Sequence, residues 1–175
     1  MSYIHHNREK IENKCDQVYH TEGMKIAHKL LLTCLQPKYQ DAIGLAHNQI
    51  GGTKAVFVAK LDGRFPYDDY VDYESGDETP RVRKWRAFIN PKITDMSPNT
   101  KVSNEGCMTF PNKPNKVERH DWVEVEHQVK ARSDNEGEAF VKEKFYGFDA
   151  IIVQHECDHL LGFHIHSINK DEENK

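Results

Sequence analysis

The chain lacks any long apolar run; no stretch approaches the roughly 20 residues that span a bilayer. It also lacks a basic excess. Lys and Arg total 24 against 28 Asp and Glu, a net charge of -4, and no basic stripe interleaves with aromatics, so direct nucleic-acid binding is not expected. Seven prolines and ten glycines are too few for a fibrous or disordered chain. Met1 to Asp16 has no hydrophobic stretch of the signal-peptide kind, and Glu9, Glu12 and Asp16 argue against a transit peptide. Four cysteines are present, with nothing to place them in an oxidising compartment. Reduced thiols in a cytoplasm are therefore expected, leaving a cysteine available to bind a metal.

At 175 residues the chain is long enough to bury a core without staples, and residues 1–175 are read as one domain. Apolar positions at helical spacing from Glu22 to Leu35 predict an N-terminal helix, with Thr21 as cap and Pro37 as terminator; Cys34 falls on its core side. Ala55–Ala59 reads as a buried strand. The polar, mostly acidic segment 62–84, with Tyr67, Tyr70 and Tyr73, reads as a surface insertion. Strand character resumes at Ala87–Ile89, and Asn90-Pro91 is expected to break or bend it. Trp122–Ala131 alternates apolar and polar residues, turns through Asp134–Gly137 and returns as Ala139–Phe145. Phe163 to His166 alternates again. Strands grouped around a helix, without βαβ alternation, predict an α+β fold: antiparallel and mixed strands wrapped around a central metal-binding helix, with the N-terminal helix beside them.

The chemistry is concentrated in His155-Glu156-Cys157-Asp158-His159, an HExxH string. On a helix the two imidazoles stack one turn apart on one face and can reach the same ion. Glu156 leans toward that ion without being forced to ligate it, where a general base must sit. Phe148, Ile151, Ile152, Leu160 and Leu161 supply the apolar positions, and Gly162 stands at the expected left-handed cap.

A catalytic ion needs a third protein ligand and an open position. The metzincin pattern would put a histidine where Ile165 stands; His164 and His166 flank that position and miss it. Upstream, Cys107 follows a Gly-containing turn, Asn104-Glu105-Gly106, and offers a thiolate. Spacing alone does not decide between a ligand and a lone core cysteine.

Three segments in order resemble the peptide deformylase family: Gly44-Leu45-Ala46-His47-Asn48-Gln49, Glu105-Gly106-Cys107-Met108-Thr109, and His155-Glu156-Cys157-Asp158-His159. Phe88-Ile89-Asn90-Pro91 and Val153-Gln154 are similar too. The resemblance covers roughly Thr21 to Ile168 outside the 62–84 insertion. It implies hydrolysis of the N-formyl group from the initiator N-formylmethionine of nascent polypeptides, releasing formate. It further implies that Cys107, His155 and His159 hold Fe2+, for which Zn2+, Ni2+ or Co2+ can substitute. Glu156 is implied as proton carrier, with the Gln49 amide and the Met108 backbone N–H as oxyanion donors. Ile43, Gly44, Ile151 and Ile152 match positions near the methionine pocket, although Ile151 and Ile152 read equally well as core. Asp158 and Arg119 align with family positions and suggest a pair supporting the helix. The implied partners are N-formylmethionyl peptides and, transiently, the ribosome; a cytoplasmic monomer is expected, in a bacterium or a phage-infected host.

The chain departs from the family pattern at Ala42, where Gly is usual, at His47, where Ala is usual, and at Asn48 and Thr109. Ala42 requires a backbone without positive φ there. His47 could gate the site, tune its acidity or point away. Two other classes stay open on the residues alone: a zinc endopeptidase using the HExxH string, and a deformylase-shaped module that binds without turnover.

Overall fold

Val56-Phe57-Val58-Ala59 is apolar on both sides, and the structure gives each side a core of its own. The computed structural model describes Ile4 and residues 11–62, 83–130 and 138–168. In chain order the elements are helix α1 (His20–Cys34), strands β1 (Gly44–Ala46), β2 (Val56–Asp62), β3 (Arg83–Met96), β4 (Thr100–Cys107), β5 (Phe110–His120), β6 (Trp122–Val129) and β7 (Ala139–Tyr146), and helix α2 (Gly147–Leu161). Short 3-10 turns occupy Pro37–Tyr39 and His47–Ile50. Five strands form one sheet in the order β1-β2-β3-β6-β7, while β4 and β5 form a separate two-stranded ribbon. The strand pairs are antiparallel; parallel pairing among the described residues is confined to an isolated bridge between Asp16 and Lys54.

Because strand side chains alternate, Val56 and Val58 face one side and Phe57, Ala59 and Leu61 the other. The first set packs with Leu45, Ile89 and the α1 residues Ala27, Leu30 and Cys34. The second packs with Phe88, Val123, Val125 and the α2 residues Ile152, Val153, Cys157 and Leu160. Phe57 and Phe88 stack with centroids 4.5 Å apart. The sheet thus lies between two helices, and α2 is held against it by an apolar face. Truncating a side chain as deeply buried as Leu30 costs about 2–5 kcal/mol in comparable cores.

Helix α1 begins one residue before the expected cap. Tyr19 is its N-cap, without a side-chain hydrogen bond, and Thr21 lies within the first turn. Its buried stripe is Gly23, Ala27, Leu30 and Cys34, whereas Met24 and Leu35 are exposed. Gly23 lets the helix approach closely: a Cβ there would lie 2.7 Å from Ile89. Asn90-Pro91 bends β3 without ending it. Asn90 has φ 51°, the β3–β6 register shifts beside it, and its amide bonds Val18 O at 2.7 Å and Gln128 Oε1 at 2.8 Å.

Two expectations are corrected. The Asn104–Thr109 region is not a flexible turn but the tip of the β4–β5 ribbon, with Cys107 paired to Phe110 across Met108 and Thr109. Phe163–His166 is a run of turns and not a strand; His164 and Ile165, adjacent in sequence, are both buried, so the alternation of residue type is not an alternation of faces. His164 is therefore neither a surface nor a half-buried residue. The turn at 134–137, and residues 63–82 of the insertion with its tyrosines, lie outside the described residues; Asp62 and Arg83 beside them end β2 and begin β3 as paired partners.

Candidate metal centre

Helix α2 presents His155 and His159 on one face, as their spacing requires, and Gly162 caps it at φ 88°. The His155 and His159 Nε2 atoms are 3.2 Å apart. Cys107, last residue of β4, brings its Sγ to 3.3 Å from His159 Nε2. One donor atom from each of the three residues lies within 4.8 Å of the others. A thiol far upstream and two imidazoles of one helix therefore face a single point.

What aims them is a network of charges on the ribbon. Arg119 of β5 donates from Nε and Nη2 to the two carboxylate oxygens of Glu105, at 2.8 and 2.9 Å, and from Nη1 to Asp158 of α2. Burial would raise the Glu105 carboxyl, but hydrogen bonds from Arg119 and His155 outweigh it and hold it down to about 2. The ionised Glu105 accepts from His155 Nδ1 at 2.9 Å. That bond fixes the His155 ring so that Nε2 is the atom turned toward Cys107 and His159, the one whose lone pair an ion would take up on displacing its proton. Burial likewise opposes ionisation of Cys107, yet the charge and hydrogen bonds of His159 and His155 bring its thiol well below the ordinary range. The suggested Arg119–Asp158 pair exists, and it extends through Glu105. Sequence reasoning assigned Glu105 no role; its only signal was an acid two residues before the candidate cysteine.

Glu156 is buried beside this triad, and a Cβ on Gly44 would fall 2.2 Å from its Oε1. Burial pushes its carboxyl up to about 7, partly offset by the two histidines. Its Oε2 has no hydrogen-bond partner among the described residues. Gln49, from the turn after β1, receives the Ala46 N–H on Oε1 at 2.8 Å, and its Nε2 reaches Thr109 Oγ1 at 3.1 Å and Cys107 Sγ at 3.7 Å. The donor set fits a transition-metal ion: a sulfur and two imidazole nitrogens that can serve as thiolate and neutral ligands, beside a buried carboxylate oxygen that no described residue satisfies.

A pocket of about 380 Å³ opens onto Cys107, His155 and Glu156. Ile43, Gly44, Met108, Phe148, Ile151 and Ile152 are among its walls. Ile152 is also part of the core, so the two readings of that residue are compatible. Every candidate site residue except the fully buried His159 lines this one opening, and His159 reaches it through its contacts with Cys107 and His155.

The family model described as polypeptide deformylase matches residues 3–174. The chain belongs to that family. It is 33% identical over 126 residues to a peptide deformylase of Thermotoga neapolitana, covering 71% of this chain and 60% of that protein. It is 34% identical over 125 residues to one of Leptospira biflexa, covering 71% of this chain and 62% of that protein. The matched stretch thus spans about 60% of the length of these two relatives. Peptide deformylase 1 of Bacillus cereus is 29% identical over 167 residues, 93% of this chain and 87% of that one. Among solved structures, the Thermotoga maritima peptide deformylase superposes with a TM-score of 0.68 at 27% identity, covering 94% of this chain and 95% of that one. The enzyme of Vibrio parahaemolyticus bacteriophage VP16T, solved with actinonin, gives 0.67 at 25%, covering 94% of this chain and 100% of that one.

The departures from the deformylase pattern have local explanations. Among the described non-glycine residues positive φ is confined to Asn90 and Asn112, so Ala42 is unstrained. His47 turns away from the pocket: its Nδ1 accepts the Lys54 N–H at 3.2 Å and its ring occupies the space a Cβ on Gly52 would need. Burial lowers its pKa there. Asn48 donates to the carbonyls of Ile11 and His159, tying the Gln49 turn to α2.

Proposed function

We propose that this protein removes the N-formyl group from the formylmethionine of nascent polypeptides, releasing formate. The observation that carries the reading is the convergence of Cys107, His155 and His159 with the Glu156 carboxylate at one pocket, in a chain of the deformylase family. A divalent ion held by Cys107, His155 and His159 would supply Lewis acidity, lowering the pKa of water in its grasp toward neutrality. We assign that ion as Fe2+, for which Zn2+, Ni2+ or Co2+ can substitute.

In this reading the peptide lies along Gly44 with its methionine side chain among Ile43, Ile151 and Ile152. A formyl carbon bears only hydrogen beyond its carbonyl, so a tight seat beside Cys107 and His155 would admit it and crowd out an acetyl group. Glu156, with a carboxyl near neutrality, takes a proton from the attacking water and gives it to the departing amine. The new C–O bond forms as the carbonyl electrons move onto oxygen. The Gln49 amide and the Met108 N–H stabilise that oxyanion, and each such donor contributes about 3–4 kcal/mol in comparable sites. Collapse breaks the C–N bond and frees formate and the amine. The proposed setting is a cytoplasmic monomer that meets nascent chains transiently at the ribosome.

Formate release from formyl-Met-Ala-Ser, with metal analysis of the same sample, tests the reading. Release that disappears in Cys107→Ala together with the metal supports it. Cleavage of internal peptide bonds that survives Cys107→Ala would point to an endopeptidase, and metal without turnover to a binding module.

A further inference from the structure

Outside the metal centre, one cluster of charges touches the pocket wall. Arg83, first residue of β3, directs Nε to Asp62 Oδ1 at 3.2 Å and Nη2 to Asp149 Oδ1 at 3.6 Å, while its Nη1 donates to Lys60 O at 3.3 Å. Asp149 in turn accepts the Asp62 N–H at 3.0 Å. The hydrogen bond to Lys60 O and the ion pairs with Asp62 and Asp149 hold the guanidinium from several sides, and its Cζ lies 4.7 Å from the centroid of Phe148. Phe148 lines the pocket, and it is 51% exposed. A half-exposed ring at a pocket mouth ordinarily exchanges rotamers, because little on its outer side resists it. Here a cation lies over the ring, where the attraction to its face favours one position. The clamp adds little to stability as a set of partly exposed ion pairs. Its consequence falls on the wall it holds.

We propose that Arg83 is a positioning residue for substrate selection: held by Asp62 and Asp149 and stacked on Phe148, it fixes the aromatic wall of the side-chain pocket so that a long, unbranched first side chain is favoured over a short one. This rests on the deformylase reading. A long side chain reaches the fixed ring and buries area against it. A short one ends before the wall and gains nothing from the ring's placement.

Steady-state formate release should be measured with formyl-Met-Ala-Ser and formyl-Ala-Ala-Ser for the wild type, Arg83→Ala, Arg83→Lys, Phe148→Ala and the double variant Arg83→Ala/Phe148→Ala. Arg83→Ala should raise KM for the methionine peptide about two- to fivefold, the range expected from one lost cation–π contact, with kcat little changed. Its preference for methionine over alanine should shrink. Arg83→Lys, which keeps the charge but not the forked guanidinium, should recover only part of the loss. In the Phe148→Ala background, Arg83→Ala should have no further effect on KM. Additive effects, or equal losses of kcat for both peptides, would overturn the proposal in favour of a merely structural clamp. A wild type that releases no formate would overturn the functional reading and the selectivity with it. The brace is read independently by 19F NMR of protein carrying 4-fluorophenylalanine, with the Phe148 signal assigned through Phe148→Leu. That signal should move in Arg83→Ala, and an unmoved signal overturns the brace whatever the activity.

Discussion

The Glu156 carboxylate occupies the space into which a side chain at position 44 would project, with Oε1 2.2 Å and Cδ 2.7 Å from where a Cβ on Gly44 would stand. Gly44→Ala must therefore displace Glu156. A misplacement of about 1 Å at a reacting group can cost on the order of 100-fold in rate. Formate release should fall by about that factor while the melting temperature moves little, since the far end of one side chain can yield. Retained activity would mean that Glu156 is not the proton carrier.

Arg119 is 5% exposed and compensates both Glu105 and Asp158. Arg119→Ala leaves a buried carboxylate without its partner, a change that typically costs about 3–5 kcal/mol. Urea unfolding should show a loss of that size. Glu105→Gln is gentler: it removes the charge that holds His155 Nδ1, and metal affinity should drop about 10- to 100-fold by chelator competition. Unchanged affinity would show that the His155 tautomer is fixed without Glu105.

Away from the site, Glu143 accepts from Arg86 at 2.6 Å and meets His127 Nε2 at 2.8 Å. Burial would raise its carboxyl, but the bonds from His127 and Arg86 prevail and hold it at about 2, below its ordinary 4.5. A group whose folded pKa is depressed stabilises the fold fully above its unfolded value. The stability margin of wild type over Glu143→Gln should thus be constant above about pH 4.5 and shrink as the pH falls toward 2. Melting temperatures of both proteins across that range check it; a margin independent of pH would refute it.

Protein purified anaerobically with iron should turn over faster than the zinc form, and oxygen should inactivate the iron form, as expected where a thiolate is exposed to oxidation beside a redox-active ion. Turnover per bound metal, with and without air, is the measurement. Equal turnover for both forms would count against iron as the working metal.

Legibility followed burial on one face. Trp122–Ala131 alternates because Val123 and Val125 pack inward, and the strand was readable through Val129. Helix α2 was readable from paired histidines, apolar neighbours and Gly162. The β4–β5 ribbon was not. Its strands are mostly exposed, β5 carries Pro111 and Pro114, which read as strand breakers, and the residues it buries include Glu105 and Arg119, charges that look like surface until seen together. The tip residues Met108 and Thr109 are not the Asn-Gly or Asp-Gly pair that announces a hairpin. Thr21 looked like a cap because its chemistry is right, but the helix starts at His20 without one. Glu105 escaped because a lone acid carries no spacing signal, and its importance lies in touching β5 and α2 at once.

The sulfur and the two rings belong to bodies with no strand pairing between them: Cys107 rides on the ribbon, the histidines on a helix packed into the main sheet. The span between sulfur and nitrogen is consequently governed by side-chain bonds, Arg119 to Asp158, His155 to Glu105 and Gln154 to the His120 backbone, with no backbone ladder behind them. Whatever prises the hairpin outward must widen the coordination gap, so loading with an ion and seating of the hairpin become one equilibrium, and starving the protein of metal should first be felt at residues 100–120.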